Sequence, residues 1–198
     1  MNWSRALVGA TCLLLAALSA PGGAQAQSNQ IAYASVTRAP VGSWADYVMS
    51  RDGEPQTVRV RYTLVQRDPK HVVLEMDSAT PMGHMLMRLE FAPAGATRWK
   101  LGRARVKMGD NPARDVATDA SLSGFGKDDA FGDKIAREAI SVKAGTFDAD
   151  HYRRKVDSWS TELWIDENVF PVGTVRIVDG QGSRFELVAR GKDGKSAF

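Results

Sequence analysis

The chain holds a single cysteine, Cys12, and the sequence marks that residue for removal. The first 26 residues, MNWSRALVGATCLLLAALSAPGGAQA, carry a basic start at Arg5, an apolar stretch from Ala6 to Ala20, a Pro-Gly break and small residues at Ala24 and Ala26. This is the layout of a secretory signal peptide with an A-x-A cleavage site. Cleavage after Ala20 would set Pro21 beside the scissile bond, so the mature chain is expected to begin at Gln27. Cys12 follows Thr11 and precedes leucines, a poor setting for lipid attachment, and it leaves with the peptide. The mature chain then has no disulfide, thiolate metal site or cysteine nucleophile, and its core alone must stabilise it. An exported chain without disulfides points to a bacterial periplasm or cell envelope.

Other absences narrow the function. After the signal peptide no apolar run approaches the roughly 18 residues that a membrane-crossing helix needs. The formal charge of +3 falls to +2 once Arg5 is lost and is spread over many carboxylates and cations, which favours neither nucleic acid nor any other charged partner. No phosphate loop, dinucleotide fingerprint, paired-cysteine metal site or EF-hand loop is present. The nearest serine motif, SLSGFG at Ser121 to Gly126, is not G-x-S-x-G and precedes no apolar helix, so a hydrolase is not expected. No catalytic residue and no cofactor emerge.

What the chain does have is alternation. In TVRVRYTLVQ the residues Val58, Val60, Tyr62 and Leu64 share one face and Arg59, Arg61 and Thr63 the other, the period-2 pattern of a half-buried strand. HVVLEMD repeats it with Val72, Leu74 and Met76, and HMLMRLEF with Met85, Met87, Leu89 and Phe91. Further strands are expected at WADYVMS, RWKLGRARVKM, REAISV, FDADHYRRKV, TELWID, GTVRIVD and SRFELVAR. RWKLGRARVKM changes phase after Leu101, which predicts a β-bulge at Gly102 and Arg103. Asp179-Gly180 is a hairpin signal between the last two strands. The stretch Gly109 to Lys134 is rich in Asp, Gly and Ala and is expected to be a long loop, with at most a short helix. The tail, residues 191–198, is expected to lack fixed structure. The whole predicts a mainly β protein: one domain over residues 27–190, a curved antiparallel sheet forming a half-barrel or open barrel, with a long loop or short helix across it.

Two C-terminal stretches, VKAGTFDADHYRR and ELWIDENVFPVGTVRI, carry Gly145, Phe147, His151 and Tyr152, and Trp164, Pro171, Gly173 and Val175. On these residues, over a span of about 40, the chain resembles exported bacterial proteins related to the lipoprotein-carrier half-barrels LolA and LolB. The resemblance implies a curved antiparallel sheet, a helix or loop on its concave side and lipophilic ligand binding. It brings no catalytic residue, and the chain lacks the lipidated cysteine of an acceptor lipoprotein.

Three clusters invite a chemical reading. Met82, His84, Met85 and Met87 offer the thioethers and imidazole that suit Cu(I). Alternation, however, sets Met85 and Met87 opposite His84 and leaves Met82 in a turn, so core packing is preferred and no metal site is assigned. In DADH, Asp148 and Asp150 share one face and His151 the other, a solvated strand edge. The cations Arg98, Lys100, Arg103, Arg105 and Lys107 are expected to form a solvated strand face that could also meet anionic head groups.

The function expected is therefore a non-enzymatic periplasmic or cell-envelope protein that binds a lipophilic ligand or a protein partner. Val58, Val60, Tyr62, Leu64, Leu74, Met76, Met85, Met87, Leu89 and Phe91 would line the site, and Leu122, Phe125 and Phe131 on the long loop would gate it. The rival expectations are a scaffolding protein with a filled core and a periplasmic Cu(I) carrier. If the signal peptide is read correctly, N-terminal sequencing of the exported protein gives Gln27; retention of Met1, or a lipid on Cys12, would refute it.

Overall fold

The structure is a computed structural model and describes residues 31–53, 57–80, 83–117, 124–127, 131–156 and 159–198. The expected signal peptide, Met82 and Leu122 lie outside the described residues.

The alternating segments become two meanders. The first runs through β1 (Trp44–Arg51), β2 (Val58–Arg67), β3 (Val72–Thr80), β4 (Gly83–Pro93) and β5 (Arg98–Met108). The short β6 (Arg114–Val116) and β7 (Gly124–Gly126) both pair with β5. The second meander runs through β8 (Asp133–Val142), β9 (Gly145–Val156), β10 (Trp159–Ile165), β11 (Thr174–Asp179) and β12 (Ser183–Gly191). The meanders join where β12 pairs with β1, giving one antiparallel sheet of 12 strands in the order β6-β5-β4-β3-β2-β1-β12-β11-β10-β9-β8, with β7 beside β5. The sheet is open, not closed into a barrel.

It is also curled. Arg176 on β11 donates from Nη2 to the Ser141 carbonyl on β8 at 3.0 Å. These strands are three positions apart, about 14 Å across a flat sheet, farther than an arginine side chain reaches. The bulge falls where the phase change puts it: Glu90 pairs with Arg103 and Phe91 with Leu101, leaving Gly102 as the extra residue. At the β11–β12 turn, the Asp179 carboxylate accepts the N–H groups of Gln181 and Ser183, each at 2.9 Å.

An open sheet needs something over its apolar face, and here the chain departs from expectation. The crossing element is α1 (Tyr33–Arg38), ahead of the first strand, rather than a helix or loop within 109–134. Ala39 precedes Pro40 and adopts extended backbone, which ends the helix. Val36 and Ala39 are fully buried against Leu64, Val72, Leu74, Phe91, Leu101 and Ala104. Ala32 joins Leu163, Ile165 and Ile177, and Ile31 packs against the clusters on both sides, so one short segment closes the sheet's interior. It is tied to the β10–β11 connection by Ala32 N–H to Val172 O at 2.8 Å and Ser35 Oγ to Glu167 O at 3.0 Å.

Phe125, expected to gate a mouth, is instead an interior residue. It is fully buried, with its ring 5.1 Å from Phe91 and 6.4 Å from both Trp99 and Tyr33. The pairing of β7 with β5 holds it there, and Gly124 allows the approach: its φ is +114°, and a Cβ would stand 2.0 Å from the Trp99 carbonyl oxygen. Phe131 rests on the Tyr152 ring at 5.4 Å, at the margin of the cluster formed by Leu163, Ile165 and Ile177. The tail expected to lack fixed structure is seated as well: Trp44 Nε1 donates to Asp193 at 2.8 Å, and Ser196 Oγ to Glu75 at 2.7 Å.

Because Phe125 fills the core, Phe125→Ala should cost about 3–5 kcal/mol of stability. A urea midpoint implying less than about 2 kcal/mol would return Phe125 to the role of a surface gate.

Candidate functional site

Strand register decides which side chains share the core face. On β1 to β5, Tyr47 pairs with Val60, Val60 with Ser78, Ser78 with Met85 and Met85 with Met108. The next row is Ala45, Tyr62, Met76, Met87 and Val106, and the next Leu64, Leu74, Leu89 and Ala104. All the expected lining residues therefore do lie on one face. Their environments differ along the strands. Leu64, Leu74 and Phe91 are buried under α1 and Phe125, and Leu89 packs beside them, so this end is filled core. Val58, Met76, Met85 and Met87 remain half-buried and belong to none of the three core clusters.

Three further residues extend that half-buried end. Met49 pairs with Val58, while Val106 and Met108 sit opposite Met87 and Met85. Every described methionine, Met49, Met76, Met85, Met87 and Met108, is thus on the same face and half-buried. The alternation beyond the bulge already carried Val106 and Met108 in phase, but only the pairing of β4 with β5 brings Met108 to Met85. Unbranched thioethers adapt their shape to irregular apolar surfaces.

Tyr62 marks the boundary between the filled and half-buried ends. Burial pushes its phenol up to about 12, and burial pushes the phenol of Tyr47 well above its ordinary value too. Their rings meet edge to face at 5.9 Å, and the Tyr47 hydroxyl donates to the Thr174 carbonyl at 2.8 Å. A recess of about 350 Å³ lined by Thr37, Arg67, Asp68, Pro69, Val72 and Trp99 lies at the α1 end and includes none of the expected lining residues.

Of the set Met82, His84, Met85 and Met87, the described members do not converge. His84 is on the opposite face, where its Nε2 pairs with Asp77, and Met82 is outside the described residues. Among the described residues no three His, Cys, Asp or Glu side chains are grouped to hold a metal. Asp148 and Asp150 share a face as expected, pairing with Arg137 and Lys134. His151 is not at a solvated edge. It is 9% exposed, stacked on Trp164 at 4.2 Å, with Nδ1 3.1 Å from Glu138 and Nε2 3.5 Å from Glu162. The cationic strand is partly engaged: Arg103 pairs with Asp115 at 2.8 Å, and Arg105 lies 5.2 Å from the Phe198 ring.

No family model and no curated protein matches the sequence. Solved structures superpose on the fold. The hypothetical protein CT021 of Chlamydia trachomatis superposes with a TM-score of 0.51 at 9% identity, covering 84% of this chain and 95% of its own. An exported-protein candidate with a YmcC-like fold from Bacteroides fragilis superposes with a TM-score of 0.42 at 12% identity, covering 78% of this chain and 97% of its own. The first likeness is one of fold, at an identity too low to transfer a function. Among the described residues no helix is long and apolar enough to cross a membrane.

The buried phenols set an alkaline limit. A phenol titrating near 10 when unfolded and near 12 when folded keeps its proton longer in the native state. Its contribution is fully present below about pH 10 and is lost as pH rises toward 12. Urea midpoints should therefore fall between pH 10 and 12, with a shallower fall in Tyr62→Phe; an unchanged slope in that variant would show that Tyr62 ionises freely in the native state.

Proposed function

We propose that the chain is a non-enzymatic protein exported to the periplasm or cell envelope, where it holds a lipophilic ligand against the methionine-bearing end of its sheet. The observation that carries this reading is the placement of Met49, Met76, Met85, Met87 and Met108, half-buried on one face beyond the packed end. Sites for small ligands are mainly apolar, with few polar groups to fix orientation. Val58 and Val106 extend the apolar lining, and Tyr62 offers one hydroxyl at its edge. The N-terminal 26 residues support export, and the resemblance to the LolA and LolB half-barrels over the C-terminal stretches supports a carrier role.

Protein purified without detergent should carry lipid in native mass spectrometry. Met87→Asp, which places an unpaired charge on this face, should weaken binding of a fluorescent fatty-acid probe at least tenfold while the protein stays folded. Bare polypeptide together with a parent protein that binds no probe would leave a scaffold with a filled interior.

Register favours a second reading as well. Met76 faces Met87 and Met85 faces Met108, an array of thioethers of the kind that binds Cu(I). Cu(I) titration of Met85→Leu and Met87→Leu separates the two: leucine keeps the apolar lining and removes the donors, so metal binding would be lost while probe binding persisted.

A further inference from the structure

The face opposite the methionines carries a different device. Trp44, Thr63, Glu75, Arg88 and Arg105 are successive cross-strand partners on β1 to β5, a straight row of five side chains across the sheet. The C-terminal segment 193–198 runs along this row. Asp193 accepts from Trp44 Nε1 at 2.8 Å, and the Gly194 N–H donates to the Gly42 carbonyl at 2.9 Å. Gly194 lies so close to the row that a Cβ would stand 2.9 Å from the Thr63 methyl and 3.0 Å from the Trp44 ring. Ser196 Oγ donates to one Glu75 oxygen at 2.7 Å and the Ala197 N–H to the other at 2.8 Å. The Phe198 ring lies 5.9 Å from the Arg88 guanidinium and 5.2 Å from that of Arg105.

The geometry is that of an extended peptide laid across strands. Five strands span about 19 Å, and six extended residues span about 17 Å, so the segment advances roughly one strand per residue. Receptor and occupant are unequal. With the segment in place Glu75 is 3% exposed, whereas Asp193, Lys195, Ser196 and Ala197 are exposed. A buried carboxylate demands donors, and here a hydroxyl and a main-chain N–H supply them, with Arg88 Nη1 3.6 Å away. The paired guanidiniums select an aromatic ring over a cation at the next position. Gly191 and Gly194 bracket the departure from β12 and leave it free to bend.

We propose that this row is a docking groove for an extended peptide bearing a hydroxyl residue, a small residue and an aromatic in succession, and that residues 193–198 are its resident occupant, displaced when a partner segment of the same chemistry binds. The groove is independent of the methionine face and of any ligand held there. The two guanidiniums disfavour a cation at the aromatic position, and the Glu75 carboxylate favours a hydroxyl donor opposite it.

The test uses a chain ending at Lys192 and a fluorescein-labelled peptide Asp-Gly-Lys-Ser-Ala-Phe. The shortened chain should bind the peptide saturably, the full chain at least tenfold more weakly, because the tethered segment competes at high effective concentration. In the shortened chain Glu75→Gln, and in the peptide Ser→Ala or Phe→Lys, should each weaken binding about tenfold or more. In the full chain Phe198→Ala should loosen the strap and raise peptide binding toward that of the shortened chain. A shortened chain that melts normally yet binds no peptide up to about 1 mM overturns the proposal. So does one that fails to fold, since the segment would then be an indispensable part of the sheet.

Discussion

A single open sheet has no second layer, and everything else in this molecule depends on how its two faces are covered. On the core face the work falls to Ile31 to Ala39, one turn and a half of helix with an extended lead-in, which touches all three apolar clusters. The segment is too short to be a stable helix alone. It is held because the sheet curls around it, a curl that brings Arg176 on β11 within reach of Ser141 on β8. A chain with one cysteine can make no disulfide within itself, so packing of this kind must hold the fold.

Coverage by so small an element is necessarily incomplete. α1 and Phe125 fill the end of the sheet where Leu64, Leu74, Phe91 and Leu101 lie. They do not join the cluster-free end where the strands carry methionine. Had the strands carried leucine or isoleucine at these positions, the half-buried face would present rigid, branched side chains; thioethers leave it deformable. The gradient from filled core to soft face runs along the same strands, and Tyr47 and Tyr62 stand at the transition, where burial raises their phenols above the ordinary value.

How much of this was legible depended on whether the information was local. Alternation gave the ten long strands and their faces, down to the phase slip that became the bulge at Gly102. It could not give α1, because YASVTR offers one turn of small and β-branched residues with no apolar stripe, and its helicity comes from packing. It misplaced Phe125, since a lone aromatic between glycines looks like a loop anchor until Gly124 is seen against the Trp99 backbone. His151 was misjudged for a related reason. The strand pattern put it on the right face, but only the stacking on Trp164 and the flanking Glu138 and Glu162 show that this part of the face is closed.

The tail shows most clearly why polar composition is a poor guide to order. GKDGKSAF has one large apolar residue and two lysines, and nothing in it would nucleate structure. Its placement derives wholly from the surface beneath it, where register has lined up an indole, a buried carboxylate and two guanidiniums. Glu75 lies on β3 between Leu74 and Met76, on the face opposite theirs, and a carboxylate buried on a sheet face would be costly unless donors reached it. Alternation put Glu75 with Asp77 on the outward face, and only the structure shows that it is buried there and needs a partner. A segment that satisfies this demand through one hydroxyl and one N–H, while remaining exposed itself, is bound by the chemistry of its receptor rather than by burial of its own surface. Any other chain offering the same donors in the same spacing meets the same receptor.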